Sequence, residues 1–317
     1  MKRVVLCGLI GIIFIIQSAY VEAEGKDKVG ATTAVFLGIA QGAGPAGMGG
    51  AFVASVDDVN ACWWNPAGLI RLKSREILYV NTKWLVDDVD GHFIAYAQPT
   101  IAYKEKKRVM AGSVILSNVS GIDGRDGQGI SIGDLKTDNR AFIFSTALGL
   151  TPATAIGVSL KAISQDLGGS KGETMAFDLG WLFSPKDNLS FGMNLQNIGP
   201  KLKTEDVSND LPLNLKLGFC FKPTMLGDNV KAAIDVDVPR DNEVGVHSGV
   251  EYWANDAVAI RVGFERVSSN RCGYSVGMGF RSSGEGILKS INTQIDYAML
   301  SYTSFDPTHR ISMITRF

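Results

Sequence analysis

From Ile77 onward, apolar side chains recur at every second position in segments of about ten residues separated by turn residues, the period-two signature of extended strands. In the stretch 257–266, Val258, Ile260, Val262 and Phe264 share one face, and Ala259, Arg261, Gly263 and Glu265 share the other. The same split recurs in 213–222, 230–238, 272–281 and 291–298. One row suits hydrocarbon. The other is too polar for a soluble core. The pattern predicts strands near 77–84, 91–103, 107–120, 139–151, 154–166, 173–183, 189–198, 213–222, 229–238, 244–253, 257–266, 272–281, 289–298 and 308–317, fourteen in all. An even number is what single-chain membrane barrels of bacteria require.

A soluble β-sandwich also alternates, but its strands run nearer about five or six residues. The last segment carries Ile311, Met313, Thr315 and Phe317 on one side and Arg310, Ser312, Ile314 and Arg316 on the other, so the final strand is expected to pair and close a sheet. No uninterrupted apolar run after residue 16 reaches the ~20 residues of a membrane helix. The expected fold is therefore all-β: a transmembrane antiparallel up-and-down β-barrel of about fourteen strands.

Lys2 and Arg3, the apolar run from Val4 to Ile16 and the small residues up to Ala23 have the layout of a secretory signal, expected over residues 1–23. That export signal and the barrel pattern together place the chain in a bacterial outer membrane. Residues 24–75 precede the first strand, and 76–317 form the barrel. Short turns at 151–153, 184–188 and 253–256 alternate with longer polar loops at 120–138, 165–173 and 199–212, so the two sets belong to opposite rims, the long ones outside.

A net charge of -1 gives no reason to expect nucleic acid. Cys62, Cys220 and Cys272 are widely spaced and offer neither a disulfide framework nor a metal-ligand pattern, and no cofactor is implied. The polar strand faces carry Lys161, Asp178, Lys216, Asp235, Asp237, His247, Glu251, Arg261, Glu265, Asp296 and Arg310, which are expected in the lumen, either pairing across it or solvating a pore. His247 has Ser248 beside it but no motif that fixes a nucleophile within reach, so no catalytic residues are expected and lipid hydrolysis is a minor alternative. Trp84, Tyr103, Trp181, Tyr252, Trp253, Tyr297 and Tyr302 stand near strand ends and suit headgroup girdles.

Asn65 followed by Pro66 fits a helix N-cap with proline at the first helical position, with Ala67 inside the turn and Gly68 ending it. The run containing Gly47, Met48, Gly49, Gly50, Asp57, Asp58, Asn60 and Asn65-Pro66-Ala67-Gly68-Leu69 resembles the N-terminal signature of the PorV/PorQ family and its wider relatives, the FadL-like outer-membrane transporters. The carboxyl end, Thr308 to Ser312 with terminal Phe317, is similar too, while the strands between match only in pattern. The resemblance implies that residues 24–75 form a hatch inside the barrel, and Asp57 and Asp58 are candidates to pair with lumen arginines. It implies passive transport of hydrophobic small molecules such as long-chain fatty acids. The PorV branch implies instead an accessory barrel that shuttles secreted proteins of a type IX-like system. Expected partners are outer-membrane lipid, an apolar ligand or secreted proteins, and the barrel-assembly machinery acting on the strand that ends at Phe317.

Overall fold

The computed structural model describes residues 30–83, 89–101, 106–125, 127–204, 207–223, 229–268, 271–283, 291–302 and 305–317. The expected signal segment, Trp84 and Tyr103 lie outside the described residues. The strands are β1 Glu76–Lys83, β2 Val89–Ile101, β3 Lys107–Arg125, β4 Ser131–Thr151, β5 Thr154–Leu167, β6 Ser170–Lys186, β7 Leu189–Ile198, β8 Leu202–Lys203, β9 Ser208–Asn209, β10 Asn214–Phe221, β11 Val230–Pro239, β12 Gly245–Ala254, β13 Val258–Ser268, β14 Arg271–Ser283, β15 Asn292–Tyr302 and β16 Phe305–Arg316. Fourteen of these form an antiparallel wall that closes on itself, because β1 pairs with β16 from Glu76↔Arg316 to Lys83↔His309. Arg75 and Phe317 extend the seam by exchanging backbone hydrogen bonds of 3.2 and 3.0 Å. A closed sheet leaves no unpaired edge, the condition for β-structure to cross hydrocarbon. The molecule is a transmembrane β-barrel.

Two expected loops are mostly strand. Pairing of β3 with β4 continues to Arg125↔Ser131, and that of β5 with β6 to Leu167↔Ser170. Glycines and aspartates in 120–138 suggested turns, but Gly121 (φ +75°) and Gly133 (φ +96°) lie where the β3–β4 register shifts, so they serve bulges within a long hairpin. The stretch 199–212 contains the two-residue strands β8 and β9, which lean on β6 through Glu173↔Lys203. The rim where β1 begins and β16 ends is called proximal here, and the opposite rim, with the long β3–β4 hairpin and the 199–213 connection, distal.

Outward side chains form the apolar surface the alternation predicted: Ile260 and Val262 are each 52% exposed and Phe280 is 54% exposed. The inner face divides into two arcs. On β1 to β4 it is mainly apolar, with Leu78, Val80, Phe93, Ala95, Val109, Ile115, Ala141 and Ile143 buried in one cluster with residues of the N-terminal segment, and Glu76 as a charged exception at the proximal end of β1. Every charged lumen residue named from the sequence lies from β5 onward, and there the inner face is polar and rich in glycine. Of the expected girdle aromatics, Tyr252 and Tyr297 face outward, Trp181 is half-buried, and Trp253 and Tyr302 instead line interior cavities.

Candidate functional site

Residues 30–75 run inside the wall. Near the distal rim, Thr33 N–H donates to Asp210 O at 3.0 Å, and its hydroxyl donates to Gln165 Oε1 at 2.6 Å. A short 3-10 turn, Val35–Gly38, is followed by helix Ala43–Gly47, which packs on β13 to β16. The chain then reverses at Gly49 (φ +64°) and Gly50 (φ +80°), a backbone conformation that favours glycine. Helix Ala61–Trp64 and the 3-10 helix Pro66–Arg71 follow, the latter against β4, β5 and β6, before the chain enters β1.

Asn65 caps as its sequence suggests: Oδ1 accepts from Ala67 N–H at 3.1 Å and Pro66 opens the helix. Asn65 Nδ2 also donates to Val53 O and Trp181 O, fastening the cap to both segment and wall. Gly68 does not end the turn. It lies within a helix that continues to Arg71, at a place where a Cβ would fall 2.1 Å from Val56 Cγ1. Met48 is fully buried, and the backbone around it is clasped by Ser275, whose hydroxyl accepts from Gly49 N–H and bonds Gly47 O.

Neither aspartate pairs with an arginine as expected. Asp57 meets Lys231 Nζ at 2.9 Å, a shorter-reaching wall cation. Asp58 Oδ1 accepts from the backbone and side-chain amides of Asn60, both at 2.9 Å, and so closes a local turn. Burial, together with the nearby charges of Asp57 and Glu76, pushes the Asp58 carboxyl up to about 7.

The eleven lumen residues fall into groups. In the first, Lys231 links Asp57 to Glu251, and Arg261 links Glu251 (2.6 Å) to Asp296 (2.7 Å). Gln294 continues the line from Asp296 to Arg316, which reaches Glu76 at 3.0 Å, while Glu76 accepts from Val59 N–H. This chain of alternating charge ties segment to wall near the proximal rim. In the second group Lys216 bonds Asp237 and lies over the rings of Trp63 and Trp64. His247 stands 3.6 Å from Asp237 and 3.8 Å from Glu265, with its Nδ1 2.8 Å from Gly49 O. Lys161, Asp178 and Asn197 form a third, fully buried group on β5 to β7. Arg310 donates to Ala40 O, and Asp235 accepts from the N–H groups of Phe52 and Val53 at 2.6 and 2.7 Å. Ser248 lies on the opposite face of its strand from His247, so that pair assembles no nucleophile and base.

Sequence reasoning missed the inward glycines. Gly157, Gly180, Gly192, Gly218, Gly249, Gly263 and Gly277 each stand where the segment backbone or its side chains run against the wall. A Cβ on Gly263 would lie 2.0 Å from Gly49 N, and one on Gly249 would lie 2.3 Å from Met48 O. Their signal was present as glycine on the polar register of successive strands, readable only once the segment's path is known. Asn194 and Gln196, which take the carbonyls of Trp64 and Trp63 at 2.9 and 2.7 Å, were missed for the same reason.

The segment separates two cavities. The distal one, about 390 Å³, has an apolar side of Val35, Leu37, Ile39, Trp63, Trp64 and Leu300 and a polar side that includes Lys216, Asp237, His247 and Arg310. The proximal one, about 670 Å³, is polar, with Asp57, Asp58, Arg71, Lys222, Arg281 and Arg316 among its walls. Arg281 stacks on Trp253 there, 4.0 Å from the ring centroid.

Among solved structures, the chain is similar to the Ralstonia pickettii toluene transporter TbuX (TM-score 0.60, 14% identity, covering 87% of this chain and 98% of that one). It is also similar to the P. putida toluene transporter TodX (0.62, 11%, 87% and 98%) and to a Pseudomonas aeruginosa FadL homologue (0.55, 10%, 87% and 96%). At these identities the likeness is one of fold. No protein-family model matches the chain, and no curated protein matches it in sequence.

Proposed function

We propose that the protein is an outer-membrane channel for passive uptake of hydrophobic small molecules, with residues 24–75 as its hatch. The observation that carries this reading is the distal cavity: an apolar wall of Val35, Leu37, Ile39, Trp63, Trp64 and Leu300 above a packed segment, at the rim with the longest hairpin. Sites for apolar ligands are concave and mostly apolar, with a few polar groups that fix orientation. An apolar molecule leaving water gains about 25 cal/mol per Å² buried, enough to load such a cavity without an energy source. The hatch then blocks free passage and must shift to release the ligand. The fold likeness to toluene transporters supports monoaromatic hydrocarbons beside long-chain fatty acids as substrates.

The test is uptake of labelled toluene and of a labelled long-chain fatty acid by cells that express the protein in their outer membrane. Accumulation above cells with an empty vector is expected for at least one tracer, and Leu37→Asp, which puts a charge in the cavity wall, should abolish it. Equal accumulation of both tracers with and without the protein would reject the reading.

A further inference from the structure

Two of the three histidines make the same arrangement on the outer surface. Tyr79 Oη is 3.1 Å from His92 Nδ1 with the rings stacked at 18°, and Tyr297 Oη is 2.7 Å from His309 Nδ1 with the rings at 23°. The first pair spans β1 and β2, the second β15 and β16, and these strands adjoin across the closing seam. His309 is the register partner of Lys83 and Lys83 of Asp90, while Tyr297, Ile311, Asn81 and His92 form the next row, so the two pairs belong to one patch with exposed Lys83 on the strand between the histidines and exposed Asp90 on the strand of His92. The histidines are two strands apart, about 10 Å across the sheet.

The patch lies where the outward face changes character. Toward the proximal rim the next row is Ile295, Met313, Tyr79 and Ile94, side chains for hydrocarbon. Toward the distal rim the row is Met299, His309, Lys83 and Asp90. A headgroup girdle needs only amphipathic aromatic rings. Imidazoles held against those rings supply something more: in the tautomer whose Nδ1 accepts from the tyrosine O–H, Nε2 carries the proton and is a donor at the edge of the apolar belt. His309 and Lys83, which are register partners, suit the oxygens of one phosphate; His92, two strands from His309, offers its donor to a further oxygen of the same headgroup, and Asp90, the partner of Lys83, offers a carboxylate to an amine.

We infer that this patch is a binding site for the headgroup of a membrane phospholipid that carries both phosphate and amine, seated on the outside of the barrel at its closing seam. The acyl chains of such a lipid would lie along Ile295, Ile311, Met313 and Ile94, which continue the patch toward the proximal rim. The site stands apart from the lumen and is independent of what the channel carries.

Native mass spectrometry of the full protein, released from detergent after exchange into phosphatidylethanolamine or phosphatidylglycerol, tests the site. The wild type is expected to retain phosphatidylethanolamine in preference to phosphatidylglycerol. His92→Ala/His309→Ala should retain about tenfold less, the consequence of losing two hydrogen-bond donors. Asp90→Ala should keep lipid but lose the preference. Heat-modifiable migration on gels confirms that each variant is a folded barrel. A folded double variant that holds as much phosphatidylethanolamine as wild type, or a wild type that holds both lipids equally, overturns the inference.

Discussion

Asp235 and Asp57 both join a strand to the segment, but their weights differ. Asp235 is fully buried and takes two backbone N–H groups, whereas the Asp57 side chain is 47% exposed and shares Lys231 with Glu251. Exposed ion pairs are worth about 0–1 kcal/mol, and leaving a buried donor unpaired costs about 1–3 kcal/mol. Asp235→Ala is therefore expected to raise ion conductance in planar bilayers and to speed hydrogen exchange around residues 50–56. Asp57→Asn should do little of either, and Asp235→Asn, which keeps an acceptor, should fall near wild type. A larger effect at Asp57 than at Asp235 would contradict this ranking. Asp58 adds a pH dependence. Its carboxyl is raised from 3.8 to about 7, so its stabilising contribution is complete below about pH 4 and is lost as pH climbs through 7. Asp58→Asn removes that loss: exchange near residues 55–62, corrected for intrinsic rates, should match wild type in acid and be slower than wild type above pH 7.

At the scale of elements, the glycine-lined strands decide how closely the segment approaches the wall. Gly263→Val would drive a side chain into the backbone at Gly49, and overpacking of this kind costs about 1–3 kcal/mol or more. Gly112, on an outward face where an added Cβ would meet nothing within 4 Å, provides the control. Gly263→Val should release protection over residues 46–53 while the barrel still forms; Gly112→Val should leave both intact. The strands themselves were legible because the two faces meet different solvents, and a period of two survives any error of register. The β3–β4 hairpin was underestimated because Gly121 and Gly133 look alike in sequence whether they turn the chain or absorb a bulge. The lumen charges were legible as a set, since each shares a face with its strand's polar residues. Their partners were not: Asp57 finds Lys231, 174 positions away, and no local pattern encodes that distance.

For the whole molecule, the asymmetry of the inner face makes the segment part of the core as well as an obstruction. Removing residues 24–75 would expose Leu78, Val80, Phe93, Ile115 and Ile143 to water, and each large side chain is worth about 1.5–3 kcal/mol when buried. The shortened protein is expected to conduct ions but to unfold at a lower temperature than the full chain, read by heat-modifiable migration on gels. Unchanged thermal resistance would show that the apolar arc contributes nothing to stability.

The seam between β1 and β16 carries a consequence for biogenesis. The N-terminal segment touches strands from both halves of the chain, and at Gly249 and Gly263 its backbone lies against the wall with no room for a methyl group. A ring that tight has to be drawn shut around its contents. A synthetic peptide of residues 24–75 mixed with a preformed empty cylinder should stay in solution on size-exclusion chromatography, whereas the same peptide present during refolding should elute with the cylinder.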